Sequence, residues 1–226
     1  MSRATLSDAQ CDAIHFAALD VFDDDLNFSD LIATAVHEAC HAELYVHHGI
    51  PFKSVSIIPE GDTLGRVVGC RVPVWAKHPA MRPCRMGPEK WNLLRGMDYW
   101  TKRMQISLAG QIGESIFLGG TTNPKSSQDD DRSRESVSWD FCETFEEMEA
   151  WHHWLSIKTR QHLSLPDVWY AVTTLADQLL EREVISYRLA RDIIKRAYDS
   201  PEAKRLMEDY VSDYSVHHLT DVTEGY

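Results

Sequence analysis

Two histidines and a glutamate form the pattern His37-Glu38-x-x-His41 in the first quarter of the chain. Each residue of an α-helix advances about 100°, so His37 and His41 lie on one helical face, one turn apart. Two imidazoles at this spacing can bind one zinc ion from the same side. Glu38 points too far round the helix to be a ligand, but it can act as general base toward a water molecule at the metal. The pattern therefore predicts metal-assisted hydrolysis.

The residues around this motif predict a helix that positions it. Ser29 and Asp30 are suitable N-cap residues, and apolar residues at helical spacing follow them. The Gly49-Ile50-Pro51 segment should end the helix. We expect a helix from about Asp30 to His48, with one face packed on the core and the histidines at its edge.

A small sheet is predicted directly after the helix. Residues 55–59 form a short stretch rich in β-branched residues that runs into a turn at residues 60–62. Residues 64–69 could pair back with it as a hairpin. An edge strand in this position, at Leu64 to Val68, could hold an extended peptide through main-chain hydrogen bonds.

The rest of the chain predicts a helical C-terminal half. Four prolines make residues 73–95 a long basic loop that could gate the substrate. Further helices are predicted, in chain order, over residues 7–20, 89–94, 99–118, 132–159 and 165–210, the last stretch being divided near Ile185 and at Pro201. The sequence thus predicts one domain over residues 1–226, a mainly helical α+β fold.

Composition limits the possible functions. The formal net charge of -12 argues against a general nucleic-acid binder, although residues 71–105 carry eight basic and two acidic residues and could attract an acidic partner. Five irregularly spaced cysteines without a C-x-x-C pair indicate reduced thiols. No apolar run reaches the roughly 18 residues of a membrane span, and the N-terminus lacks a signal peptide's apolar core. We expect a cytoplasmic protein that could form a homo-oligomer or act with a partner protein.

A catalytic zinc site needs a third protein ligand besides the two histidines. One candidate is His47, which would be the last histidine of the pattern H-E-x-x-H-x-x-G-x-x-H. This chain has Leu44 in place of the glycine that would let the backbone turn back to the metal. With Leu44 the helix should continue and carry His47 to another face. The other candidates are Glu114, on the helix that ends at Gly119, and an aspartate among residues 129–131.

Four blocks in the same order resemble the proteolytic domain of the FtsH-type zinc peptidases. They are His37–Ala42 for H-E-A-G-H-A, Val55–Gly65 for the strand and turn V-x-x-x-I-I-P-x-G-x-x-L-G, Ala109–Gly119 for A/G-G-R-x-A-E-E-I-x-F-G, and Thr121–Asp130 for T-T-G-A-S-N-D-L. A late helical segment at Ala176–Glu181 is also similar. The resemblance covers roughly residues 30–200.

This resemblance implies that the third zinc ligand is the aspartate of the S-N-D-L block. Aligning Ser127-Gln128-Asp129 with S-N-D selects Asp129, while two extra residues in the loop leave Asp130 and Asp131 open. The chain departs from the family pattern elsewhere, because Cys40 stands for its glycine, and Gln111 and Gly113 stand for its arginine and alanine.

The resemblance implies a zinc metallopeptidase, with Glu38 as the catalytic base. The sequence has no G-x-x-x-x-G-K-[ST] phosphate loop, so we expect a stand-alone, ATP-independent enzyme. Without an unfolding motor it would hydrolyse peptide bonds in flexible or unfolded polypeptides. The alternative is a non-catalytic regulatory or interaction module that retains the peptidase fold and the metal.

Overall fold

Six helices and a small three-stranded sheet make up the described residues of the computed structural model, which are 28–61, 63–73, 76, 90–120, 142 and 144–223. The elements are α1 (Phe28–His47), β1 (Phe52–Ser56), β2 (Arg66–Gly69), α2 (Lys90–Phe117), α3 (Phe145–Leu163), α4 (Pro166–Arg182), β3 (Val184–Ser186), α5 (Tyr187–Asp199) and α6 (Pro201–Thr223). The mainly helical α+β class is confirmed. Among these helices, none has both the length and the apolar character that a membrane span needs.

Helix α1, the predicted metal helix, lies at the centre of the molecule. Every residue from Ile32 to Tyr45 is buried, and the helix packs against α2, α4 and α5 and against the sheet. It ends because Gly49 adopts a positive φ of 67°, which lets the Ile50 amide donate to the Tyr45 carbonyl at 2.9 Å. This is the glycine-capped end that the sequence predicted.

The sheet has the strand order β2-β1-β3, and both pairings are antiparallel. The predicted hairpin of β1 and β2 is confirmed, with Val55 opposite Val67, although β1 begins at Phe52 and ends at Ser56 instead of spanning residues 55–59. The third strand was not predicted; it pairs Ile185 with Val55 from the other side, and both side chains are buried. Among the described strands β2 pairs only with β1, so it is an edge strand, as expected.

Helix α2 corrects two predictions. Residues 90–117 form one helix, whereas a break between residues 94 and 99 and a loop reaching residue 95 were expected. The last proline before this helix is Pro88, and residues 90–117 contain none, so no proline removes a hydrogen bond within the helix. Gly96 lies inside the helix and is buried, and a single glycine costs a helix only about 1 kcal/mol.

The C-terminal helices follow the predicted divisions. The chain leaves α4 at Arg182, Ser186 caps α5 by accepting from the Leu189 amide, and α6 begins at Pro201. Helix α3 begins later than the predicted residue 132, because Thr144 is its N-cap and accepts from the Glu147 amide at 3.1 Å. The predicted helix at residues 7–20 lies outside the described residues.

Candidate metal centre

The two motif histidines face each other in the buried middle of α1. Their Nε2 atoms are 3.1 Å apart, and the rings are nearly perpendicular, with centroids 4.8 Å apart. Two imidazole nitrogens bound to one tetrahedral zinc ion at 2.0–2.1 Å would be about 3.3 Å apart. The spacing of His37 and His41 is therefore already close to that of two ligands of one metal ion.

The other ring nitrogen of each histidine is held by α2. Nδ1 of His41 donates to the carbonyl oxygen of Ile106 at 2.6 Å, and Nδ1 of His37 lies 3.1 Å from Oε2 of the buried Glu114. A carbonyl oxygen only accepts, so the proton of neutral His41 is on Nδ1, and the carboxylate favours the same tautomer of His37. In these tautomers each Nε2 carries a lone pair, as a metal ligand requires. Metal-binding histidines are oriented by partners of this kind.

Gly110 of α2 leaves space beside both Nε2 atoms. A Cβ at this position would lie 2.3 Å from Nε2 of His37 and 2.4 Å from Nε2 of His41. These distances are close to the zinc–nitrogen bond length of about 2.0–2.1 Å. Any side chain at residue 110 would therefore fill space that an ion bound to both nitrogens needs.

The β1–β2 hairpin lies against Glu38, the expected catalytic base. Glu38 is buried, and a Cβ at Gly65 would come within 2.9 Å of its Cγ and 3.0 Å of Cγ2 of Thr34. Glycine at residue 65 allows this close approach, and strand β2 begins at the next residue. The fold thus brings the carboxylate, the histidine pair on the same helix and the edge strand into one region.

The expected third ligands have different outcomes. Asp129, Asp130 and Asp131 all lie outside the described residues. Glu114 contacts Nδ1 of His37, which places it behind the ring as an orienting group.

Helix α1 continues through Leu44 to His47, as the sequence predicted. His47 belongs to a different group, formed by Glu43, His47 and His162, whose candidate ligand atoms all lie within 4.8 Å of one another and which could hold a metal ion. Burial is the largest cause that lowers the pKa of His47, and the neighbouring His162 is the second. Sequence reasoning missed this group. The only sequence signal is the one-turn spacing of Glu43 and His47, because His162 is 119 residues from Glu43.

The His37–His41 pair offers two nitrogen ligands for one ion, and the aspartates expected to complete the site lie outside the described residues. Imidazole ligands suit zinc among the divalent metals. No model of a known protein family matches the sequence, and neither does any curated protein.

Proposed function

We propose that the protein is a zinc metallopeptidase whose metal is bound by His37 and His41. The observation that carries the proposal is the pair of Nε2 atoms 3.1 Å apart, with each Nδ1 held by a separate acceptor on α2. Gly110 supports it, because it leaves open the space that an ion bound to both nitrogens needs. The resemblance to the FtsH-type peptidases supplies Asp129 as the third ligand, with Asp130 and Asp131 as alternatives.

Each residue has a defined part in the proposed reaction. Glu114 and the Ile106 carbonyl fix the tautomer and orientation of the two imidazoles. Glu38, one residue from His37 and buried beside Gly65, takes a proton from the attacking water and passes it toward the leaving amine. A zinc ion held by His37, His41 and the third ligand would supply Lewis acidity, which would lower the pKa of bound water and stabilise negative charge on the substrate oxygen.

The substrate in this proposal is an extended polypeptide. Strand β2 is the sheet edge next to Gly65, and a flexible peptide can add to such an edge by main-chain hydrogen bonds. Flexible segments and unfolded chains have main-chain groups free to pair with this edge, so we propose them as the substrates, cleaved without ATP.

The test compares the protein loaded with zinc with its Glu38→Gln variant on an unstructured casein substrate. We expect cleavage by the unmodified protein, its loss on chelation, and a fall of about 10²- to 10⁴-fold in Glu38→Gln with the zinc content unchanged. Glu149→Gln, at an exposed position on α3, should cleave at the original rate. Equal and negligible cleavage by the protein and by Glu38→Gln would refute the peptidase and favour a non-catalytic metal-binding module.

A further inference from the structure

We propose that Glu43, His47 and His162 form a second metal site, which takes a divalent transition-metal ion such as zinc. Glu43 and His47 lie one turn apart on α1, and His162 lies in the last turn of α3. One ligand atom from each residue lies within 4.8 Å of the other two. Two imidazoles and a carboxylate are a common zinc-binding set.

The Glu43 carboxylate is prepared as a ligand. Its side chain is fully buried, Oε2 lies 3.0 Å from Nε2 of His162, and Oε1 accepts a 2.6 Å hydrogen bond from the Tyr198 hydroxyl. A buried carboxylate is costly unless its charge is compensated. Tyr198 satisfies one oxygen and fixes the orientation of the group, as outer hydrogen bonds do for carboxylate ligands. The second oxygen, Oε2, faces Nε2 of His162, and this nitrogen can bind a metal ion once the imidazole proton is on Nδ1.

His47 gives the site access to solvent. Its side chain is exposed, and its ring centroid is 4.1 Å from that of His162. Ligand atoms around a tetrahedral zinc ion are about 3.3 Å apart, so the group has to close by at most about 1.5 Å. Rotation of the exposed His47 side chain can supply this movement, while Glu43 and His162 are already close together.

An ion at this site would link three helices. Glu43 and His47 belong to α1, His162 to α3, and Tyr198, which holds Glu43, to α5. Glu43 is two residues beyond His41, so the ion would stabilise the half of α1 that follows the first histidine pair. We infer a structural site, and its existence does not depend on peptidase activity.

The experiment counts zinc ions bound per full-length chain, by metal analysis after chelation, reloading with zinc and dialysis. We expect His47→Gln and His162→Gln each to bind one zinc ion fewer than the unmodified chain. His153→Gln, at an exposed position on the same helix as His162, should bind the full number. Circular dichroism checks that every variant is folded, and His47→Gln, which removes an exposed side chain, is the variant expected to fold without difficulty.

A second background separates the two metal sites. The double variant His37→Gln/His41→Gln should still bind the ion at Glu43, His47 and His162, and zinc should raise its thermal unfolding midpoint. Adding His47→Gln to this background should abolish both effects. The second site would be overturned if His47→Gln and His162→Gln bound as many zinc ions as the unmodified chain. The His37→Gln/His41→Gln variant could instead bind as many zinc ions as the unmodified chain while His47→Gln and His162→Gln each bind one fewer. That result would refute the first site and support the second.

Discussion

A methyl group added at Gly113 is expected to destabilise the contact between α1 and α2. A Cβ at this position would lie 2.1 Å from Sγ of Cys40 and 3.0 Å from its Cβ. Non-bonded carbon atoms pack at about 3.5–4.0 Å, so the two groups would have to separate by about 1.5 Å. Cys40 is fully buried and cannot swing into solvent. Gly113→Ala must therefore push the helices apart or force Cys40 out of its rotamer.

The expected magnitude combines two opposing effects. Overpacking of a buried contact costs about 1–3 kcal/mol, and so severe an overlap belongs at the upper end. Alanine returns about 1 kcal/mol of helix propensity relative to glycine. We therefore expect Gly113→Ala to lower the free energy of unfolding by about 2 kcal/mol.

A reciprocal change should remove the clash. Cys40→Gly alone should cost about 2 kcal/mol, from lost helix propensity and lost burial of the side chain. In Cys40→Gly/Gly113→Ala the overlap is absent, and the helix propensity gained at residue 113 offsets part of the stability lost at residue 40. The double variant should therefore lie within about 1 kcal/mol of the unmodified protein, which corresponds to a coupling of about 3 kcal/mol.

The assay is urea unfolding of the four chains with metal removed by chelation. Gln111→Ala is a control, because it places alanine on the same helix at a partly exposed position. The packing argument is refuted if Gly113→Ala is as stable as the unmodified protein. It is also refuted if the double variant shows the sum of the two single losses.

Three further predictions follow from single positions. Gly110→Ala should lower zinc affinity at the His37–His41 pair at least about tenfold, because the added methyl group fills the space beside both Nε2 atoms. Isothermal titration calorimetry measures this affinity, and equal values for Gly110→Ala and Gln111→Ala would contradict the prediction. Burial is the largest cause that raises the pKa of Asp177, and the charge of Glu181 is the second. The folded state therefore holds this proton more tightly than the unfolded chain, so the free energy of unfolding falls as pH rises above about 4. Asp177→Asn should therefore increase the free energy of unfolding at pH 7 and have a smaller effect near pH 4; a difference independent of pH would exclude this cause. Burial is the largest cause that raises the pKa of the Cys40 thiol, followed by the charges of Glu43 and Glu38. Alkylation of the folded protein at pH 8 should therefore label the exposed Cys70 and spare Cys40 until denaturant is added. Equal labelling of both cysteines in peptide maps would contradict this.

The Cys40–Gly113 contact also concerns two positions at which the sequence departs from the FtsH-type pattern of the expected resemblance. Cys40 stands where that family has glycine, and Gly113 stands where it usually has alanine. In the structure the cysteine sulfur occupies the space that an alanine at 113 would need. The larger side chain at residue 40 and the smaller one at residue 113 therefore compensate each other in volume between the facing helices. Neither sequence position indicates this by itself.

The amino-acid sequence by itself determined the features that depend on neighbouring residues. The one-turn spacing of His37 and His41, the glycine that ends α1, the β1–β2 hairpin and the divisions near Ile185 and at Pro201 were all predicted from local pattern. Each depends on helical or strand periodicity, capping or proline chemistry within a few residues.

Only the tertiary structure decided which distant groups meet the histidines. Glu114 lies 77 residues from His37, the Ile106 carbonyl lies 65 residues from His41, and His162 lies 119 residues from Glu43. Strand β3 was likewise missed, because three residues carry too little periodicity to predict a strand without the partner β1. The physical reason is that periodicity fixes the face on which a side chain lies, whereas the packing of helices and strands determines what that face contacts.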